Sequence, residues 1–106
     1  MRNKQHSINR ANQMAVRYLR QTQKAVNHLN ALGFTVLNIN FTRVKPCIEV
    51  DVSNAKGGVR ALVRERKAVW YARGSCEELG NWKGYYTMIE GIRVWWRSAV
   101  EDVIQE

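Results

Sequence analysis

The sequence SINRANQMAVRYLRQTQKAVNHLNALG, residues 7–33, decides the fold because it predicts one long helix. Ser7 is a suitable N-cap residue, Gly33 suits the position after the last turn, and neither proline nor glycine lies between them. Apolar residues recur at steps of three and four, which is typical of an amphipathic helix that packs one side on a core. This apolar side consists of Ile8, Ala11, Ala15, Tyr18, Leu19, Thr22, Ala25, Val26, Leu29 and Leu32.

Positive charge collects on the opposite side of this helix. Four cationic residues, which we call the basic stripe, follow the same steps: Arg10, Arg17, Arg20 and Lys24. At a rise of 1.5 Å per residue the stripe spans roughly 20 Å. A solvated helix face usually mixes both signs, because oppositely charged pairs four residues apart stabilise it. The basic stripe therefore predicts contact with an anionic partner, and an ordinary solvated face is the alternative.

The charge of the whole chain is equally uneven. Of a net charge of +8 over 106 residues, all belongs to residues 1–48, which contain eight Lys or Arg and no Asp or Glu. Residues 49–106 hold nine charges of each sign. This asymmetry favours nucleic acid or an acidic protein surface as the partner. The length predicts a single domain, residues 1–106, in which residues 1–7 are flexible.

After Gly33 the apolar pattern changes to period two, which predicts strands over residues 34–41, 47–52, 59–64 and 68–72. The glycine pair within residues 53–58 predicts a hairpin turn. The side chains expected to face the core are Leu37, Ile39, Phe41, Ile48, Val50, Val52, Val59, Ala61 and Val63. We therefore expect an α+β fold, in which the long N-terminal amphipathic helix packs on an antiparallel β-meander of about four strands.

The C-terminal third is ambiguous. Residues 73–84 are expected to form a loop, and residues 85–97 are consistent with a strand or with a helix that starts at a Thr87–Glu90 capping box. The β-branched and aromatic residues around Ile92–Trp96 favour the strand, followed by a short C-terminal helix over residues 98–105. Period two then puts one set of side chains on a common face: Tyr86, Met88, Ile92, Val94 and Trp96.

The sequence offers no group of residues suited to catalysis. His6 and His28 have no cysteine or carboxylate at ligand spacing, and no glycine-rich phosphate loop is present. We expect a non-enzymatic protein without cofactor or metal. Cys47 and Cys76 are expected as reduced thiols, with a single disulfide between them as the alternative.

Two further sets of residues are candidates for binding. Arg60 and Arg64, near the aromatic pair Trp70 and Tyr71, would supplement the basic stripe in holding nucleic acid, because basic and aromatic side chains on a sheet commonly hold single strands. Tryptophan and arginine also dominate protein interfaces. Trp95 and Trp96 must face opposite ways on a strand. The candidate protein-interface residues are Trp82, Trp95, Trp96, Arg93 and Arg97.

Three segments resemble small accessory proteins, of the early or counter-defence type, encoded by temperate phages and prophages of enteric bacteria. They are Leu32-Gly33-Phe34-Thr35-Val36-Leu37, Lys45-Pro46-Cys47-Ile48-Glu49-Val50 and Met88-Ile89-Glu90-Gly91-Ile92-Arg93-Val94-Trp95-Trp96. The resemblance implies a bacterial cytoplasm and a small regulatory or counter-defence protein. It carries over no functional residue.

Two hypotheses follow. The first is a basic nucleic-acid-binding protein that acts through its N-terminal helix. The second is a phage-encoded inhibitor that binds a host protein such as a nuclease or a CRISPR complex. A homodimer that buries the surplus aromatic residues is a third possibility. No secretory signal and no membrane span are expected, and the expected location is cytoplasmic.

Overall fold

The computed structural model describes residues 9–42 and 45–99. The elements follow in the order α1 (Arg10–Leu32), β1 (Thr35–Asn40), β2 (Cys47–Asp51), α2 (Lys56–Arg64), β3 (Val69–Cys76), β4 (Gly80–Ile89) and β5 (Ile92–Ala99). The fold class is α+β with a long N-terminal helix, as predicted. The sheet differs from the expected meander, because it has five strands in the order β1-β2-β5-β4-β3 and β2 pairs with β5 in parallel.

Helix α1 begins later than the sequence suggested. Its N-cap is Asn9, whose side-chain oxygen accepts a hydrogen bond from the Asn12 N–H at 2.9 Å. The prediction of Ser7 as N-cap is therefore wrong, and Ser7 itself lies outside the described residues. At the other end the prediction is confirmed. Gly33 adopts the left-handed conformation with φ 84° and donates its N–H to the Asn30 carbonyl at 3.1 Å.

A β-bulge reverses part of the expected pattern in β1. The pairing with β2 shifts between Val36 and Asn38, so Leu37 is an extra residue that opposes no partner. Leu37 is consequently 58 % exposed, and Phe41, beyond the end of the strand, is 52 % exposed. Their prediction as inward residues is wrong. Ile39 packs against the core as predicted, and Val36 does so in place of Leu37.

The segment predicted as a hairpin turn and a third strand is helix α2. Val59, Leu62 and Val63 follow helical steps as well as Val59, Ala61 and Val63 follow strand steps, and the structure uses the helical set. Gly57 lies in the first turn of α2 and does not form a hairpin. The local pattern was compatible with both periods, and packing against the core selected the helix.

Residues 73–84 form a β-hairpin and not the expected loop. Strand β3 continues to Cys76 and β4 begins at Gly80, so the two form a hairpin. A two-residue turn, Glu90 at φ 53° and Gly91 at φ 78°, then joins β4 to β5. Positive φ at both positions is typical of the type I′ turn, whose twist suits a hairpin.

Residues 85–97 are β structure as favoured, and the capping-box alternative is wrong, but they form the end of β4 and most of β5 with a turn between them, not the single strand expected. The Thr87 hydroxyl donates to the Lys67 carbonyl at 2.8 Å and caps no helix. Ser98 and Ala99 belong to β5, not to a C-terminal helix, and residues 100–106 lie outside the described residues. Since the turn pairs Ile89 with Ile92, Tyr86 and Met88 lie on the face opposite Ile92, Val94 and Trp96.

One face of the sheet carries the core. Helix α1 contributes Ala25 and Leu29 to it, and α2 contributes Val59. The strand residues that complete the core are Ile48, Val50, Tyr85, Ile89, Ile92, Val94 and Trp96. Every second residue of a strand points to the other face of the sheet. In β5 the residues on that face are exposed or half-buried. Neither α1 nor α2 covers this second face, which we call the open face.

Candidate functional site

Aromatic and arginine side chains meet on the open face across strands β3, β4 and β5. Strand pairing puts Tyr86 beside Trp95, and Gly84 beside Arg97. Tyr71 and Tyr86 also approach each other, with ring centroids 6.1 Å apart. We call this set of six side chains the ring–arginine surface: Tyr71, Trp82, Tyr86, Arg93, Trp95 and Arg97.

Two glycines let rings lie against the sheet. A Cβ at Gly84 would come within 2.8 Å of the Tyr71 ring, and a Cβ at Gly74 within 2.6 Å of the Trp82 ring. Each ring therefore occupies the space of a missing side chain on the neighbouring strand, an arrangement known for cross-strand glycine–aromatic pairs. A ring held across the strand in this way directs its other face away from the sheet.

The two arginines pack on two of the rings. The Arg93 guanidinium carbon lies 4.3 Å from the centroid of the Tyr86 ring, and that of Arg97 lies 5.4 Å from the centroid of the Trp82 ring. Contacts of this kind contribute roughly 0.5–1 kcal/mol at exposed sites. They hold both guanidinium groups over the sheet, where the remaining N–H donors are available to a ligand.

The open face also contains carboxylates on β2. Glu49 Oε2 lies 3.9 Å from Arg97 Nη2, and Asp51 is exposed at the end of the strand. Burial raises the pKa of the Tyr71 phenol above its ordinary value of 10.0. The positive charges of Arg97 and Arg93 oppose this rise, and the negative charge of Glu49 adds to it. Tyr71 is therefore a neutral hydrogen-bonding ring at physiological pH.

A groove of about 740 Å³ opens between the ring–arginine surface and the loop that precedes β2. Its size falls in the range of roughly 300–1,000 Å³ that is usual for small-molecule sites. Two cations line it and no carboxylate does. The lining residues of this groove are Asn40, Lys45, Pro46, Cys47, Tyr71, Tyr86, Met88, Gly91, Arg93 and Trp95.

The basic stripe occupies a different part of the molecule. Arg10, Arg17, Arg20 and Lys24 are all exposed, on the side of α1 opposite the buried residues Thr22, Ala25 and Leu29. Since those three residues face the core, the basic stripe and the open face point in opposite directions. No residue from Arg10 to Gln21 is buried, so this half of the helix makes little contact with the sheet.

The remaining candidates are distributed over several elements. Arg60 and Arg64 lie on helix α2, away from the strand on which they were expected, and Arg60 is half-buried. Trp95 and Trp96 face opposite ways, as predicted. Trp96 is fully buried in the core, where it packs against Phe34 and Tyr85, and so it belongs to no surface. Trp82, Trp95, Arg93 and Arg97 do meet on the open face.

Tyr86 was not among the predicted site residues, and Tyr71 was named only as an aromatic neighbour of Arg60 and Arg64, although both tyrosines line the groove. The signal that would have found them is the contact of each ring with a residue of the neighbouring strand, Gly84 for Tyr71 and Arg93 for Tyr86. That signal needs the register of β3, β4 and β5, and the register depends on recognising Glu90–Gly91 as a two-residue turn.

Other polar contacts serve to hold the fold. His28 Nδ1 lies 3.2 Å from Glu90 Oε2, and the Gln21 amide donates to the Glu90 carbonyl at 3.3 Å, so both join α1 to the β4–β5 turn. Within residues 9–42 and 45–99, no three His, Cys, Asp or Glu side chains are close enough to hold a metal ion. In the same ranges no helix has the length and apolar character needed to cross a membrane.

Comparison of the chain with protein-family models, with curated proteins and with solved structures gave no match.

Proposed function

We propose that this protein is a non-enzymatic nucleic-acid-binding protein whose principal contact surface is the ring–arginine surface. The observation that carries the proposal is the meeting of four aromatic rings and two arginines on a sheet face that neither α1 nor α2 covers. Base rings stack on aromatic side chains and on guanidinium planes, and arginine N–H groups bind phosphate oxygens. The ring–arginine surface thus offers rings for the base of a nucleotide and arginine N–H donors for its phosphate.

The charge of the chain supports the same partner. The net charge of +8 draws polyanions to the protein, and neutralising several phosphates gives an affinity that falls steeply with salt. The basic stripe on α1, which the sequence suggested as the main contact, is a second contact in this proposal. Its exposure is compatible with that role, and its cations meet no acidic residue on their own helix.

The proposal includes a cytoplasmic location in a bacterial host cell. Cys47 and Cys76 are both free thiols, which is the state kept by a reducing compartment. Nucleic acid is accessible there to a protein encoded by a phage or prophage.

Fluorescence anisotropy with labelled DNA and RNA tests the proposal. The double variant Arg93→Ala/Arg97→Ala should weaken binding at least tenfold in low salt, because two phosphate donors are removed together with their ring contacts. The matched control is Arg66→Ala/Arg73→Ala, which removes the same charge from exposed positions outside the ring–arginine surface. Equal affinities for the two double variants, with unchanged circular dichroism, would contradict the proposed surface.

The second candidate function is inhibition of a host protein such as a nuclease or a CRISPR complex. The observation in its favour is that Trp82, Trp95 and Arg97 share one surface, since tryptophan and arginine supply most interface hot spots. Salt distinguishes the two functions. Nucleic-acid binding weakens steeply between about 50 and 200 mM salt, because it neutralises phosphates. Binding of a host protein through tryptophan side chains changes little over that range.

A further inference from the structure

We infer that the groove beside the ring–arginine surface holds one unpaired nucleotide, so that the protein binds single strands in preference to duplexes. This inference rests on the proposed function and deepens it, because it names the form of nucleic acid that the site takes. The groove is the place where aromatic rings, cations and an amide come together without a carboxylate.

The lining of the groove matches the parts of a nucleotide. Tyr86 and Trp95 are cross-strand neighbours and provide aromatic surface for a base. Lys45 and Arg93 supply positive charge for a phosphate, and the Asn40 side chain offers both a donor and an acceptor for a base edge. Glu49 and Asp51, the acidic residues of β2, do not line it.

A duplex does not present the corresponding surface. Its bases are stacked on each other, and only their edges and the phosphates are accessible in the grooves. The rings in this site lie on a sheet, so a base reaches them only after it leaves the stack, which costs a few kcal/mol when the base is paired. A base that is already unpaired does not incur that cost.

Cys47 provides a probe of the occupied groove in the unaltered protein. Its thiol lines the groove, whereas Cys76 lies at the far end of β3 and does not. Both thiols are free and half-buried. A bound nucleotide should therefore slow the reaction of Cys47 with a maleimide and leave Cys76 unchanged, which makes Cys76 an internal control.

The experiment compares four probes of one base composition, namely a single-stranded DNA of about 12 nucleotides, its RNA equivalent, the DNA duplex and nucleoside monophosphates. Affinity is measured by anisotropy or competition, and maleimide labelling of both cysteines by peptide mass spectrometry. We expect at least tenfold tighter binding of a single strand than of the duplex, with Cys47 protected only by the single strand.

A pair of variants tests the aromatic contact. Trp95→Leu should weaken single-strand binding about tenfold, which is in the range found when a stacking residue is removed. Trp70→Leu is the matched control, because Trp70 pairs with the core residue Tyr85 and so faces the side of the helices. Thermal melting confirms that both variants are folded, and the Cys47 result depends on neither of them.

The outcomes separate this inference from the proposed function. Equal or tighter binding of the duplex, with Cys47 unprotected, overturns the inference while nucleic-acid binding stands. Monophosphates that protect Cys47 as well as the 12-mer does overturn the claim that the groove serves single strands, because the free mononucleotide is then the ligand. An absence of binding by all four probes at low salt overturns both.

Discussion

Glu49 lies beside the ring–arginine surface and opposes its charge. Its carboxylate is 3.9 Å from the Arg97 guanidinium, and an ion pair this long, with the arginine partly open to solvent, contributes little to folding. Glu49→Gln should therefore leave stability nearly unchanged and strengthen nucleic-acid binding, because a repulsive charge is removed and Arg97 is released. A single charge at a few ångströms in water amounts to about 1 kcal/mol, which predicts a two- to fivefold lower Kd at low salt.

Glu77→Gln is the control for this substitution, since it makes the same charge change in the β3–β4 turn. Titrations of both variants with one labelled single strand provide the measurement. If Glu49→Gln weakens binding of the single strand while Glu77→Gln does not, Glu49 supports the contact and the charge argument for the ring–arginine surface is wrong.

Single residues were predictable from the sequence where one period governed a whole element. The exposure of the basic stripe and the opposite orientations of Trp95 and Trp96 follow from helix and strand periodicity alone. Leu37 was not predictable in this way. An extra residue in β1 shifts the pattern, and the bulge becomes evident only when β1 is paired with β2.

At the level of elements, glycine is required in the β4–β5 turn but not in the first turn of α2. Gly91 has φ 78°, and a Cβ there would lie 2.7 Å from the Gln21 side-chain nitrogen, which joins α1 to this turn. A Cβ at Gly57 would meet open space, and this residue lies in the first turn of a helix. Alanine is therefore strained at the first position and favourable at the second.

Urea unfolding monitored by circular dichroism measures both effects. Gly91→Ala should lower the free energy of unfolding by about 1–2 kcal/mol, the usual cost of left-handed backbone for a residue with a Cβ. Gly57→Ala should raise it by about 0.4–1 kcal/mol, because the unfolded chain loses conformational freedom. A destabilised Gly57→Ala variant would mean that this segment does not form a helix in solution.

The glycine pair Gly57–Gly58 also explains why the sequence predicted a hairpin turn and a strand where the structure has α2. A glycine pair between apolar segments is typical of a hairpin turn, and Val59, Ala61 and Val63 fit a strand that follows it. Tertiary packing settled the ambiguity, since Leu62 contacts the core only from a helix. Short segments in which both periods fit are decided by what they pack against, and that information is not local.

For the whole molecule, the sequence predicted the fold class but not the order of the strands. Strand β5 lies between β2 and β4, and its parallel pairing with β2 joins residues more than 40 positions apart. Neither composition nor periodicity encodes a pairing at that distance. The open face follows from this topology, because the sheet brings Arg93 and Arg97 of β5 beside the rings of β4.

The opposite directions of the basic stripe and the open face lead to a prediction about ligand length. A strand of about six nucleotides, near the lower end of the roughly 4–16 that one binding fold covers, can occupy only the open face. A strand of about 30 nucleotides has the additional length to reach α1. Arg17→Glu/Arg20→Glu should therefore leave the affinity for the 6-mer unchanged and weaken binding of the 30-mer.

Salt titration makes this prediction quantitative. Arg17→Glu/Arg20→Glu removes two phosphate contacts, so the negative slope of log K against log salt for the 30-mer should become shallower by about 1.4. The control is Arg66→Glu/Arg73→Glu, which reverses the same number of charges outside both surfaces. Equal effects of the two double variants on the 30-mer would mean that α1 attracts nucleic acid only through net charge. A loss of 6-mer binding specific to Arg17→Glu/Arg20→Glu would instead make α1, not the sheet, the primary site.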